Sequence, residues 1–265
     1  MILLVDVGNS RIKWVTWEQG RYTRRGDLFH GDTPLEQLGA RLWRDLPLPM
    51  RVLIANVAGE RMADALAEWV QSHWGAAVQF AVTEVANYGV QNAYSNPKQM
   101  GVDRWVAMIG ARAQTKQACC IVDCGTAITI DALSSRGEHQ GGVIFPGAHL
   151  MRQTLFRETR QIPISPQGRL ALFGKSTQDC VWGGTLHAVA AAIEGITARM
   201  RTELESGAVC LLTGGGAETL QPYLQGDFQL SPDLIFNGLL TITLQGSEPK
   251  GLPQGNTFDL VGQRH

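Results

Sequence analysis

The sequence lacks the features that mark membrane-spanning and secreted proteins. None of its 265 residues lies in an apolar run approaching the roughly 18 residues that a membrane-spanning helix requires. The apolar start at residues 1–5 ends at Asp6 and is too short for the core of a signal peptide. We therefore expect a cytoplasmic protein with no membrane partner.

The chain also lacks a strong charge and a cysteine motif. Its formal net charge is −1 and its pI is near 6.6, so no overall field favours binding to nucleic acid. The five cysteines include no Cys-x-x-Cys pair. Cys120 and Cys124 have a spacing seen among metal ligands, but a strand would hold them about 13 Å apart. Small residues of an apolar core are the better interpretation of the cysteines.

The chain does contain one short sequence motif that occurs twice. Residues 4–10 read Leu-Val-Asp-Val-Gly-Asn-Ser, and residues 121–127 read Ile-Val-Asp-Cys-Gly-Thr-Ala. Each copy of the motif is an apolar run that ends in Asp-x-Gly and continues with small residues. A second alternating run follows it. The repeat predicts two related domains, each with a pair of strands around an acidic glycine turn.

The first copy has the residue types that bind phosphate groups. A strand that ends at Asp6 places a carboxylate at the rim of a sheet, where α/β proteins bind their ligands. Gly8 lets backbone N–H groups approach a phosphate closely, while Asn9 and Ser10 add short polar groups. Lys13 can supply a positive charge to phosphate oxygens. An ordinary hairpin turn would explain this copy equally well, but its recurrence favours a phosphate site.

Apolar periodicity and turn residues predict alternating strands and helices. The main predicted strands lie at 2–6, 11–17, 21–28, 52–57, 78–82, 119–123, 127–133 and 209–213. The predicted helices lie at 34–46, 60–74, 98–114, 148–157, 178–201, 217–224 and 233–244. Thr33 is the expected N-cap of the first helix. Because the pattern restarts at 119, we predict domains at 1–116 and 117–265, with a loose tail after about 248.

Duplicated Asp-Gly hairpins are typical of the superfamily of acetate kinase, sugar kinases, Hsc70 and actin, which the chain resembles through both copies. The resemblance implies an α/β fold of two duplicated actin-like or ribonuclease-H-like domains, each a mixed sheet flanked by helices. It also implies a nucleotide cleft between the domains. Residues 213–216, Thr-Gly-Gly-Gly, resemble the glycine turn on the nucleoside side, although a tight strand-to-helix turn has the same sequence pattern.

A second phosphate-binding motif, the P-loop, is excluded. Residues 174–177 read Gly-Lys-Ser-Thr, as the end of a P-loop does. The motif requires a glycine at the position of Arg169, whereas the nearest glycine is Gly168. The segment also lacks the strand and the glycine-rich loop that frame a P-loop.

An acidic residue and a basic residue stand side by side in the segment 96–105. Pro97 suits the start of the predicted helix, which places Asp103 and Arg104 within about its first two turns. An Asp beside an Arg at such a place can act as a general base with a neighbouring anion anchor. From this stretch alone, an ion pair on the helix surface is the simpler interpretation.

The ordered set of motifs resembles the type III pantothenate kinases over nearly the full length of the chain. The motifs occur in family-like order and spacing at 6–13, 96–104, 123–131, 141–147 and 174–184. The segments 232–234 and 238–239 fit the C-terminal pattern of the family. Departures are mild, since Ser10 replaces a common Thr and Val102 replaces a frequent Ala.

The resemblance implies ATP-dependent phosphorylation of pantothenate, the first step of coenzyme A biosynthesis, by a homodimer. Asp103 matches the general base that accepts the hydroxyl proton, and Arg104 matches the residue that pairs with the pantothenate carboxylate. Asp6 would hold Mg²⁺, directly or through water, and Asp123 would hold a monovalent cation, K⁺ or NH₄⁺. The matches to ATP-binding positions are Asp6, Gly8, Asn9, Ser10, Lys13 and Thr126, and those to substrate-binding positions are Tyr94, Gly101, Val102, Asp103, Arg104 and Thr177.

Two alternatives remain open. Another enzyme of the superfamily, such as a sugar or acetate kinase or a phosphatase, fits the fold but not residues 101–104. A non-catalytic regulatory relative, resembling accessory factors for gene expression, should have lost an acidic site residue, whereas Asp6, Asp103 and Asp123 are all present. The role of Asp131 is also open: it supports the site or is an ordinary strand-end residue, and the second interpretation is preferred.

Overall fold

The structure is a computed structural model that describes residues 1–159, 162 and 167–246. The strands are β1 (Ile2–Val7), β2 (Arg11–Glu18), β3 (Arg21–Phe29), β4 (Arg51–Asn56), β5 (Val78–Phe80), β6 (Ala86–Asn87), β7 (Val90–Gln91), β8 (Cys119–Cys124), β9 (Ala127–Leu133), β10 (His139–Pro146), β11 (Val209–Thr213) and β12 (Phe228–Leu230). The α-helices are α1 (Leu35–Trp43), α2 (Glu60–Trp74), α3 (Val102–Gln114), α4 (Ala148–Glu158), α5 (Thr177–Glu203), α6 (Ala217–Leu220) and α7 (Leu234–Gln245). The predicted loose tail after about 248 lies outside the described residues.

Two five-stranded sheets share one order of strands. The first sheet runs β3-β2-β1-β4-β5, and the second runs β10-β9-β8-β11-β12. In each sheet an antiparallel meander of three strands is extended by two parallel strands. Helices flank both sheets, so the predicted α/β fold of two mixed sheets with flanking helices is confirmed.

The apolar core is layered because alternate side chains of a strand face opposite sides of its sheet. On β1, Leu3 and Val5 pack with α1 and α2, whereas Leu4 faces an inner cluster. That inner cluster joins α3 and α7 to residues of both sheets, while α5 covers the other face of the second sheet. The two halves therefore share one central layer. The domain division at residue 116 stays a prediction.

The predicted start of the third helix and the predicted N-cap of the first helix differ from the structure. Residues Pro97–Gln99 form a separate 3₁₀ turn capped by Asn96, and α3 begins only at Val102 because Met100 is extended. Asp103 therefore lies in the first turn of α3. The predicted N-cap at Thr33 is also wrong: α1 begins at Leu35 without a side-chain cap, and the Thr33 hydroxyl accepts a hydrogen bond from Arg41 at 3.3 Å.

The predicted core role is confirmed for four of the cysteines and is wrong for the fifth. The buried ones are Cys119, Cys120, Cys124 and Cys210, whereas Cys180 is exposed on α5. Among the described helices, none combines the length and the hydrophobicity that crossing a bilayer requires.

A pair of glycines lets α3 and α7 approach closely at the centre of the shared layer. A Cβ atom on Gly110 would overlap the carbonyl oxygen of Leu234, and one on Gly238 would overlap the carbonyl oxygen of Val106. Each helix therefore presents bare backbone to the backbone of the other helix. A side chain of any size at either position would push the two helices apart.

We predict that Gly110→Ala lowers the free energy of unfolding by about 1–3 kcal/mol, because the added methyl overpacks this contact. The matched control is Gly195→Ala in α5, where the space around the position is open. The control should raise the free energy of unfolding by about 0.5–1 kcal/mol, since alanine favours a helix over glycine. Denaturant unfolding measures both, and a stabilised Gly110→Ala chain would contradict the close approach.

Candidate active site

The two Asp-x-Gly turns of the repeat meet in space. One turn joins β1 to β2 and the other joins β8 to β9. The Ser10 Oγ and the Thr126 Oγ1 lie 2.9 Å apart and share a hydrogen bond across the two halves. The two copies of the motif therefore lie at one place, as a common phosphate site requires.

The glycine N–H groups of these turns are already bonded within the chain. Gly8 N donates to the carbonyl oxygen of Arg11 at 3.0 Å, and Gly125 N donates to that of Ala127 at 3.2 Å. The N–H groups offered to a phosphate must therefore come from the residues that follow, such as the exposed Asn9. The nearest atom to a Cβ built on Gly8 is 3.4 Å away, so crowding within the chain does not explain this glycine.

A histidine outside the sequence motifs supports the first turn. His30, just after β3, donates from Nε2 to the carbonyl oxygen of Gly8 at 2.9 Å. Its backbone N–H also donates to the carbonyl oxygen of Ser10 at 3.1 Å. Only the pairing of β2 with β3 brings His30 to the turn, so no local sequence signal marks it.

Three half-buried carboxylates lie at the site: Asp6 is next to the last residue of β1, Asp123 is next to the last residue of β8, and Asp103 lies in the first turn of α3. Burial, Asp123 and Asp103 raise the pKa of Asp6 to about 7, against the opposing effect of Lys13. Burial and Asp103 raise the pKa of Asp123 to about 6, and Lys13 again opposes the shift. Burial also raises the pKa of Asp103. The cluster thus holds more negative charge than Lys13 neutralises.

The donor set fits a hard cation that shares its coordination with a substrate. Among the described residues, no three acidic, histidine or cysteine side chains are arranged to hold a metal ion together. Mg²⁺ is commonly held by one or two carboxylates plus substrate phosphates and water. Asp6 and Asp123 supply such carboxylates, and burial together with neighbouring acidic groups raises the pKa of each, so a bound cation would favour their charged forms.

The glycine turn after β11 folds onto the second Asp-x-Gly turn. Gly214 has a φ of +90°, and a Cβ on it would overlap Asp123 Oδ1. Gly216 N donates to the carbonyl oxygen of Cys124 at 2.8 Å. Lys13 approaches the same turn, with Nζ 3.4 Å from a Cβ built on Gly215. The segment is thus a tight strand-to-helix turn that also lies at the site.

A cavity of about 340 Å³ extends from this turn and has the size of a small-molecule site. Its lining includes Lys13, Gly214 and Gly215 at one part, with Arg25, Asp233 and Phe236 among the other residues. Side chains from both halves therefore enclose it. This position beside the glycine turns agrees with the cleft implied by the superfamily resemblance.

Arg104 is buried in a network of polar side chains rather than paired on the helix surface. Its Nε and Nη2 donate to the two carboxylate oxygens of Asp131 at 2.9 and 2.6 Å. Its Nη1 donates to the Tyr94 hydroxyl at 2.7 Å. Asp131 Oδ1 also accepts from His139 Nε2 at 2.8 Å. The preferred interpretation of Asp131 as an ordinary strand-end residue is therefore wrong, because only 2% of it is exposed.

The charges in this network stabilise each other. Burial alone would raise the pKa of Asp131, but hydrogen bonds from His139 and Arg104 hold that pKa below its usual range. Burial opposes the charge of Arg104, yet Asp131 and Tyr94 raise its pKa above the usual range. Asp103 takes no part in the Arg104 side-chain pairing, and its Oδ1 accepts from the backbone N–H of Arg104 at 2.8 Å.

The remaining substrate-binding candidates divide into two places. Gly101 lies against Asp103, since a Cβ on Gly101 would come within 2.5 Å of the Asp103 Oδ1, and Val102 opens α3 beside it. Thr177 is exposed at the start of α5 and lines a different cavity of about 550 Å³ between α4 and α5. Among the described residues, no hydrogen bond joins Thr177 to Asp103 or Arg104.

Solved structures with the same fold include enzymes and other proteins. A protein from Sinorhizobium meliloti described as a 2-dehydro-3-deoxygalactonokinase has a TM-score of 0.60 at 16% identity, covering 94% of this chain and 100% of its own. A protein from Campylobacter jejuni described as a Baf family transcriptional activator has a TM-score of 0.58 at 21% identity, covering 93% and 100%. At these identities the likeness shows the fold alone.

Sequence comparisons are more specific. A family model described as type III pantothenate kinase matches residues 2–199. The type III pantothenate kinase of Nitrosospira multiformis is 39% identical over 249 residues, covering 94% of this chain and 93% of that protein. The type III pantothenate kinase of Nitrosococcus oceani is 35% identical over 254 residues, covering 94% and 96%. The chain therefore belongs to the type III pantothenate kinase family.

Proposed function

We propose that this chain transfers the γ-phosphoryl group of ATP to the primary hydroxyl of pantothenate, giving 4'-phosphopantothenate, the first step of coenzyme A biosynthesis. The observation that carries the proposal is the position of Asp103. It lies at the start of α3, within the electrostatic reach of the carboxylates that end β1 and β8, and next to the buried Arg104. Family membership supports the same reaction.

In this proposal Asp103 is the general base. Its raised pKa makes the carboxylate a better proton acceptor. The hydrogen bond from the backbone N–H of Arg104 fixes the direction of Asp103 Oδ1. The proton of the acceptor hydroxyl moves to Asp103 while the hydroxyl oxygen bonds to phosphorus and ADP leaves. Phosphoryl transfer depends mainly on positioning and charge neutralisation, so a fixed carboxylate is a sufficient base.

The two turns would bind the ATP phosphates. Lys13 supplies positive charge beside the Gly215 turn, and the hydroxyls of Ser10 and Thr126 meet at the tips of the hairpins. Asn9 adds an exposed amide, and Gly8 keeps the surface free of a side chain. A bound Mg²⁺ would neutralise charge on the transferring phosphate, with Asp6 holding it directly or through water.

Asp123 would hold a monovalent cation, K⁺ or NH₄⁺. It lies at the junction of two turns, beneath Gly214 and paired in the sheet with Thr213. Its pKa is raised mainly by burial, and a resident cation would favour the charged carboxylate.

Arg104 would bind the carboxylate of pantothenate, with Tyr94, Gly101, Val102 and Thr177 completing the pocket. A bidentate arginine suits a carboxylate because its parallel N–H groups match the two oxygens. Tyr94 already contacts Arg104 through its hydroxyl, and the Arg104 Cζ lies 5.5 Å from its ring centroid. Gly101 leaves room for the fixed Asp103 carboxylate, because a Cβ there would lie 2.5 Å from Oδ1.

We also propose that the chain acts as a cytoplasmic homodimer. Two apolar side chains near the start of α5, Leu172 and Phe173, are 68% and 84% exposed. Leu155 on α4 is also exposed, and it lines the largely apolar cavity between α4 and α5. An exposed apolar area of this kind is typical of a protein–protein contact, which supports a second copy as the partner.

The reaction can be tested by ADP release from ATP in the presence and absence of pantothenate, with Mg²⁺ and K⁺. We expect pantothenate-dependent turnover in K⁺ and a much lower rate when Na⁺ replaces it, because the smaller Na⁺ ion gives up its bound water less readily than K⁺ does. No pantothenate-dependent ADP in K⁺ would refute the kinase proposal. Equal rates in the two salts would refute only the role of Asp123.

We predict that Asp103→Asn lowers kcat by about 100- to 10,000-fold, the usual contribution of a general base. The amide keeps the shape of the side chain but cannot accept the hydroxyl proton. The control is Asp64→Asn, the same change at an exposed position of α2, which should leave kcat unaltered. Circular dichroism checks that both variants fold, and near-normal turnover in a folded Asp103→Asn chain would remove Asp103 as the base.

The raised pKa of Asp6 also predicts how stability depends on pH in the absence of ligands. The folded chain keeps the Asp6 proton up to about pH 7, whereas the unfolded chain loses it near its ordinary value of 3.8. Folded-state stability from this group therefore falls as the pH rises through that window. Asp6→Asn, which cannot ionise, should raise Tm more at pH 8 than at pH 5.

Thermal unfolding with a chelator present measures this effect. Asp64→Asn serves as the control and should change Tm by a similar amount at both pH values, because it is exposed on α2. A gain in Asp6→Asn that is the same at pH 5 and pH 8 would show that folding does not raise the pKa of the Asp6 carboxylate.

A further inference from the structure

We propose that Asp131 is a positioning residue, held in place by His139, that orients Arg104 for the carboxylate of the acceptor substrate. The inference rests on the proposed function, since it concerns how the acceptor is held. It adds two residues, one on β9 and one on β10, to the binding machinery at the start of α3.

Asp131 occupies the edge of the Arg104 guanidinium that Nε and Nη2 form. The Nε and Nη2 groups bond the two carboxylate oxygens at 2.9 and 2.6 Å, and both side chains are almost completely buried, with 5% and 3% exposed. The pair therefore fixes the plane of the guanidinium as well as its position. The direction in which the rest of the guanidinium points follows from this pairing.

The bonds that remain on Arg104 match the needs of one further carboxylate. A guanidinium has five N–H groups, of which Asp131 takes two and Tyr94 takes one. Within the described residues, one N–H on Nη1 and one on Nη2 are left without a hydrogen-bond partner. Two N–H groups, one on each terminal nitrogen, equal in number the donors that a carboxylate accepts in a bidentate pair. The charge of Arg104 is balanced by Asp131, yet its capacity to bind an acceptor anion is retained.

His139 and Tyr94 close the network into a ring of contacts. The His139 side chain has no exposed surface; its Nε2 donates to Asp131 Oδ1, and its ring stacks on that of Tyr94 with centroids 6.1 Å apart. Tyr94 in turn bonds Arg104, which bonds Asp131. No member can rotate without breaking contacts to two neighbours. His139 therefore holds Asp131 on one side and Tyr94 on the other.

Gly142 on β10 leaves room for this arrangement. It pairs with Asp131 across the sheet, and a Cβ on it would overlap Asp131 Oδ1 and lie 2.7 Å from Arg104 Nη2. Gly142 is itself exposed, so only backbone separates the Arg104–Asp131 pair from the surface at this point. The glycine is thus explained by the ion pair.

Stability alone is a poor explanation for a buried ion pair. Removing two charges from water costs much of what their attraction returns, and packed apolar residues of similar volume are often as stable. A pair that fixes the direction of a ligand-binding arginine has a different benefit, because orientation is needed before the acceptor hydroxyl can meet the phosphate. The two explanations predict different kinetics.

The first test is Asp131→Asn, with the KM of pantothenate and the KM of ATP measured separately. We expect the KM of pantothenate to rise about 10- to 100-fold while the KM of ATP changes less than about twofold, as loss of positioning at one subsite predicts. In an Arg104→Lys background, which has already lost the bidentate anchor, Asp131→Asn should raise the KM of pantothenate less than about twofold further. Additive effects, or equal rises in both KM values, would overturn the positioning role.

A second variant covers the case in which Asp131→Asn fails to fold. His139→Phe keeps the ring that stacks on Tyr94 and removes only the bond to Asp131, because His139 Nδ1 has no hydrogen-bond partner within the described residues. We expect a rise of about threefold or more in the KM of pantothenate alone. His73→Phe, which keeps a ring stacked on Trp69 in α2, is the control and should change neither KM.

The possible outcomes distinguish a failure of the positioning role from a failure of the kinase proposal. In one outcome the unmodified chain turns over pantothenate, and the folded His139→Phe and Asp131→Asn variants keep its KM for pantothenate. That outcome would overturn the positioning role and leave the kinase proposal standing. Absence of pantothenate-dependent turnover by the unmodified chain would overturn both. A selective rise in the KM of pantothenate that is lost in the Arg104→Lys background would support both.

Discussion

The crowding of three partly buried carboxylates is the constraint on which the candidate site depends. Asp6, Asp103 and Asp123 belong to three different elements, and burial, followed by the charges of neighbouring carboxylates, raises the pKa values of Asp6 and Asp123. Such crowding opposes folding, so it must be maintained by the surrounding structure. The shared layer of α3 and α7 does this, because it joins the sheets whose strands end at the site. The unbalanced charge is also what makes the site receptive to cations.

Duplication gives the two halves the same strand order but not the same chemistry. In the first hairpin the residue paired with Asp6 is Lys13, whereas in the second the residue paired with Asp123 is Thr129. Residues 8–10 connect the first pair of strands, and the shorter segment 125–126 connects the second. Of the two hairpins, only the first therefore has a lysine paired with its aspartate. This difference fits the proposed division between a nucleotide-binding turn and a cation-binding turn.

Much of the fold could be predicted because its signals are local. The two Asp-x-Gly motifs and the apolar alternation each lie within a short stretch of sequence. The strands of both sheets can be predicted from them. The start of α3 was harder, since Pro97 does begin a helical turn, but the extended Met100 ends it and delays α3 to Val102. The network around Arg104 could not be predicted from spacing. Asp131 and His139 reach it through the β9–β10 pairing, and His30 reaches the first turn through the β2–β3 pairing.

The shared central layer has a consequence for how the chain folds during synthesis. The helix α7 is the last described element, yet it packs against β1 and β4 at the opposite end of the sequence. The inner face of the first sheet therefore lacks the part of its apolar cover that α7 supplies until residues near 245 have been synthesised. Contacts of such long sequence separation form late and slow the overall rate. The first half thus depends on the end of the second for its packing, despite the independence that the repeated topology suggests.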